Sequence, residues 1–121
     1  VTMMTSEQVS AEWVGSFDNW QALDATVEVA RTVARDITAV PQNFEIVLAQ
    51  LENLVNRFQV ILKTCNHPEA ESALRYHRRA SLELDSEFVP LYYRRAVLDN
   101  VLARYIHAGS RLCRQATPVL G

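Results

Sequence analysis

Glycine and proline are scarce in this chain, three and four residues among 121. An all-β sandwich or barrel needs turn residues at short, regular intervals, and that scarcity argues against one. Cysteine is scarcer still. Cys65 and Cys113 stand far apart with no CxxC between them. That supports neither a disulfide framework nor a thiolate metal site, and two reduced thiols in a cytosolic setting are expected. Long apolar runs are missing, so no bilayer-spanning helix is expected. The opening residues VTMMTSEQVSAEW have neither the basic start nor the apolar centre of a secretory signal. Glycine-rich phosphate loops, HExxH and GxSxG are also missing. His67, His77 and His107 are not spaced i, i+4, and Glu69 and Glu71, two apart, point to different faces of a helix. The chain is therefore read as no enzyme, with no catalytic residue, cofactor, metal, small-molecule substrate or membrane partner.

What is present is helix. Hydrophobic residues make up 49% of the chain and charged residues 21%, enough for one domain with a real core. From Asp18, a plausible N-cap, Trp20, Leu23, Val27, Ala30, Ala34 and Ile37 recur at helical spacing. Phe44, Leu48, Leu51, Val55, Phe58 and Leu62 repeat the rhythm, and Val47, Leu54 and Ile61 widen the stripe. Cys65-Asn66-His67-Pro68 reads as a turn. A third helix begins with Pro68 in its first turn, and its Glu69 and Glu71 suit the positive end of the helix dipole. Ala70, Ala73, Leu74, His77, Ala80 and Leu84 form its apolar face. A fourth starts near Pro90, buries Leu91, Val97 or Leu98, Val101, Leu102, Tyr105 and Ile106, and stops at Gly109. Four amphipathic helices with short connections predict an all-α, antiparallel four-helix bundle over 18–109, with an arm at 1–17 and a tail at 110–121.

Charge is divided unevenly. Residues 1–56 hold two arginines against eight acids, and residues 57–121 hold ten basic residues against six acids. Such asymmetry points to a polyanion or a complementary protein surface as partner. Eleven of the twelve basic residues are arginine, with Lys63 the single lysine. Arginine's planar fork suits carboxylate and phosphate alike. Arg75, Arg78 and Arg79 share one helical flank with Tyr76 interleaved, and Arg94-Arg95 follow Tyr92-Tyr93. Clustered arginine with aromatics is a nucleic-acid footprint, and the other reading is a solvated face paired with the acids around 83–87.

Three stretches resemble the coat proteins of rod-shaped plant RNA viruses, the tobravirus, hordeivirus and tobamovirus group. They are EWVGSFDNWQAL (12–23), Arg57-Phe58, and ESALRYHRRASLELDSEFVPLYYRR (71–95), whose end matches a Tyr-x-Arg element at Tyr92 and Arg94. The chain departs from that pattern at Gln59, where the family has proline, and in the short interval between Phe58 and Glu71. The resemblance implies a virion protein, made in the host cytoplasm, that polymerises helically with itself and packages single-stranded RNA through phosphates. It implies RNA contact at Arg57, Arg75, Arg78 and Arg79. Trp20, Phe58, Tyr92 and Arg94 fall to packing and intersubunit contact. Glu83, Asp85 and Glu87 would crowd at an intersubunit contact, where they are expected to bind a proton or a divalent cation, or else to pair with arginines. The rival reading is a soluble helical-bundle interaction module without nucleic acid.

Overall fold

The computed structural model describes residues 17–39, 43–85 and 88–120, with side chains for 21–37, 43–85 and 88–114. Among them it is all helix: α1 (Phe17–Ala39), α2 (Phe44–Lys63), α3 (Pro68–Leu84) and α4 (Leu91–Leu120). Helices α2 and α4 form the centre. Each packs against the other and against both α1 and α3, so α1 and α3 flank the central pair.

The ends of the middle helices follow from local chemistry. Asn43 caps α2, its side-chain oxygen accepting from the Glu45 N–H at 2.9 Å. Such a cap satisfies one of the amide groups that a helix start leaves unpaired, an effect of about 1 kcal/mol. His67 caps α3 in the same way, its Nδ1 accepting from the Glu69 N–H at 3.0 Å, and Pro68 follows where no N–H is needed. Asp85 closes α3 by donating its N–H to the Ser81 carbonyl at 3.0 Å.

The core is the sum of the apolar stripes. Leu23, Val27 and Ala30 of α1 meet Val47, Leu51, Leu54, Val55, Phe58 and Leu62 of α2, while Val101, Leu102 and Tyr105 of α4 close the space between them. Phe58 and Tyr105 are fully buried and stack with ring centroids 5.4 Å apart, 8° from parallel. Burying such a ring contributes about 1.5–3 kcal/mol, and the pairing about 0.5–1.5 kcal/mol more. Thr26, inside this apolar surface, returns its hydroxyl to the Ala22 carbonyl at 2.6 Å. That internal bond removes the cost of burying a lone donor.

One boundary and two burial assignments in α4 differ from those read in the sequence. Gly109 does not end α4. The helix runs on to Leu120, and Leu112 is buried in the core, so at least the start of the expected tail belongs to the bundle. Gly109 instead lets α1 approach, because a Cβ there would lie 2.7 Å from Val27 Cγ2. Leu91, expected on the buried side, is exposed in the first turn of α4. Val97 and Leu98 are both buried, which widens the stripe of α4. The arm over 1–16 and Glu87 lie outside the described residues, as does the side chain of Trp20, which stands on α1. None of the described helices is long and apolar enough to cross a membrane.

Candidate nucleic-acid interface

Burial of Ala70, Ala73, His77 and Ala80 against the bundle orients α3. With that face inward, the 3.6-residue period turns Glu71, Arg75, Arg78 and Arg79 to the solvent, where all four are exposed. Arg75 and Arg78 then meet a residue from another element. Lys63, in the last turn of α2, joins them around a recess of about 480 Å³, completed by Cys65, Asn66, Glu71 and Leu74. Three cations share this recess with one carboxylate. None of the three makes an ion pair among the described residues, whose salt bridges lie elsewhere. Unneutralised cations around a concave surface raise the local concentration of an anion and attract phosphate.

Arg79 stands on the same exposed face without lining the recess, and it too has no ion pair among the described residues. Arg57 is not brought to this site. It borders a separate groove of about 380 Å³ between α1 and α2, with Ala22, Ala25, Asn53, Asn56, Val60 and Ile61. Helical spacing within α3 does not reach Lys63, which lies on another helix. Its signal was a lone basic residue in the last turn of one helix, immediately before a short turn into an arginine-bearing helix.

The aromatics do not take the part that their interleaving suggested. Tyr76 turns from the arginine face toward α4, where the Arg104 guanidinium lies over its ring at 4.2 Å. One face of that ring is thereby covered by a cation–π contact. Beside it, Arg111 pairs with Glu69 at 3.1 Å, which ties the start of α3 to α4. Arg94 and Arg95 are spent on the bundle itself. Arg94 donates to the Leu84 carbonyl at 3.3 Å, and Arg95 lies 3.8 Å from Asp99 and over the Phe44 ring at 5.6 Å. Tyr93 donates its hydroxyl to the Glu83 carboxylate at 3.1 Å, while Tyr92 is exposed. Phe58 lies wholly in the core.

Behind the arginine face, His77 Nδ1 and the Tyr105 hydroxyl share a hydrogen bond of 2.7 Å, with the two rings edge to face. Desolvation, and then the positive charge of Lys63, hold His77 below its ordinary pKa, so it is neutral at pH 7. Tyr105 is pushed up by burial. Burial raises the Cys65 thiol to about 12 and the Cys113 thiol to about 11, so neither is a ready nucleophile near neutrality. Among the described residues, no cluster of His, Cys, Asp and Glu could hold a metal ion. A further recess of about 740 Å³ lies between α1 and α4. There Arg31 donates to Ser110 at 2.6 Å and pairs with Glu28 at 3.5 Å.

No known protein family, curated protein or solved structure matches this chain. The reading of this surface therefore rests on its own charge and geometry.

Proposed function

We propose that this chain is a structural protein and not an enzyme: copies associate into a polymer that holds single-stranded RNA through its phosphates, as a helical coat protein does. The observation that carries this reading is the convergence of Lys63, Arg75 and Arg78 on one recess without compensating ion pairs among the described residues. Phosphate contact of this kind is indifferent to base sequence, which a packaging protein requires. The coat-protein resemblance of 71–95 supports the same assignment. The virion and the host cytoplasm are the locations that go with it. In this reading Arg79 contributes from the recess margin, and Arg57 is left outside the phosphate site.

The test is RNA affinity across a salt series, using two unrelated single-stranded RNAs. Lys63→Ala, Arg75→Ala and Arg78→Ala should each lower the salt slope by about 0.7, equally for both sequences. Arg57→Ala should leave the slope unchanged. Failure of the wild-type protein to bind either RNA at low salt overturns the proposal. A monomer without RNA affinity would select the interaction-module reading, which the apolar groove between α1 and α2 favours.

A further inference from the structure

Two surface features remain unused by the RNA reading, and they complement each other. The first is a projection. Phe88, between α3 and α4, is 87% exposed, the most exposed large apolar side chain among the described residues. It follows an acid-rich stretch that includes Glu83 and Asp85, and Asp85 has no ion pair among the described residues. The second is the groove between α1 and α2. α1 presents Ala22, Ala25 and Thr26 there, the Thr26 hydroxyl being turned back to the Ala22 carbonyl, and these short side chains leave Val60 68% exposed. At its edge stands Arg57, an exposed cation also without an ion pair among the described residues.

An aromatic ring exposed to water gains by entering an apolar recess, and a groove of about 380 Å³ has room for one. The charges are opposite in sign, with carboxylates in the segment that leads into Phe88 and a guanidinium beside the groove. The two features do not meet within one chain. Phe88 belongs to the end of the bundle where Arg95 covers Phe44 at the start of α2, whereas the groove lies against the second half of α2 and the flank of α1.

We propose that the Phe88 projection of one copy seats in the α1–α2 groove of a second copy, with Arg57 of the groove meeting the carboxylates of the entering turn. The contact is heterologous, since each copy offers one projection and one groove and a joined pair keeps one of each free. Repetition gives an open chain of subunits and not a closed dimer. This inference rests on the self-association part of the proposed function and supplies the surfaces for it.

The test uses RNA-free, full-length protein in sedimentation velocity at micromolar concentration. Phe88→Ser and Val60→Glu alter exposed positions, and circular dichroism checks that both variants keep their helix content. Wild-type protein should form large species, and each variant alone should associate more than about tenfold more weakly. Mixed in equal amounts, the two variants should form a dimer and nothing larger, because the intact groove of Phe88→Ser accepts the intact projection of Val60→Glu. Should either variant fail to fold, Arg57→Glu should weaken association and Asp85→Arg in the same chain should restore it. Variants that assemble like wild type overturn this docking while self-association stands. Monomeric variants that give no dimer on mixing also overturn it. Wild-type protein that stays monomeric overturns both this docking and the self-association reading.

Discussion

Replacing Gly109 by alanine sets two opposed effects against each other. In an isolated helix the change is favourable, because glycine is about 1 kcal/mol worse than alanine in a helix interior. In this bundle the new methyl would stand 2.7 Å from Val27 Cγ2, 3.3 Å from Leu23 Cδ1 and 3.4 Å from Phe58 Cε1. All three neighbours are buried, at 3%, 0% and 0% exposure, so none can swing into solvent. Val27 is β-branched and on a helix, which leaves it essentially one χ1 rotamer. Relief must come from moving α1 away from α4, and overpacking of this kind costs about 1–3 kcal/mol. The contact wins. Gly109→Ala should destabilise the protein by up to about 2 kcal/mol net, and lower the thermal midpoint by up to about 8 °C for a domain of this size. Urea and thermal unfolding followed by circular dichroism measure both. The cause is separable by a second substitution. In a Val27→Ala background the obstructing methyl is gone, so Gly109→Ala should become neutral or stabilising by up to about 1 kcal/mol. A higher midpoint for Gly109→Ala alone would refute the close approach of α1 at this position. An unchanged penalty in the Val27→Ala background would refute Val27 as its cause.

Two further outcomes are expected. Because His77 is held below the ordinary value of 6.5, the unfolded chain binds more protons than the folded one as pH drops through that region. The contribution of neutral His77 is present above about pH 6.5 and is lost as pH falls through its lower folded value. The urea midpoint should therefore fall from about pH 7 to about pH 5, and His77→Gln should flatten that trend; an equally steep trend in the variant excludes His77 as its source. Arg94→Ala removes the donor to the Leu84 carbonyl and should cost about 0.5–1.5 kcal/mol of stability. RNA affinity per folded subunit should stay intact, and an affinity loss at unchanged stability would reassign Arg94 to the RNA surface.

Much of this architecture is local in origin and for that reason legible in the sequence. Leu48, Leu51, Leu54, Val55, Phe58 and Leu62 of α2, and Ala70, Ala73, His77 and Ala80 of α3, are buried as their spacing predicts, because a 3.6-residue period and an apolar core leave a helix only one way to face. The turn at Asn66 and the start of α3 at Pro68 are likewise set by residues within a few positions of each other. The candidate site was legible in part. The period alone placed Arg75, Arg78 and Arg79 on one flank, but it could neither add Lys63 nor remove Arg57. Those outcomes depend on how α2 and α3 lie across the turn between them, which is decided by packing.

The remaining features were decided by tertiary structure. His77 and Tyr105 share a hydrogen bond across 28 positions of chain, and no spacing rule links them. Tyr76 looked like part of the arginine patch until α4 brought Arg104 over its ring. Gly109 reads locally as a helix end, because glycine is the residue that most readily leaves a helix. In the bundle it continues one, since α1 passes close enough that a hydrogen atom fits and a methyl group does not. Sequence periodicity determined which face of each helix turns inward, because that choice depends only on neighbours within a turn or two. Which side chains from different helices then met, and how closely, was determined by the fit of whole surfaces against one another.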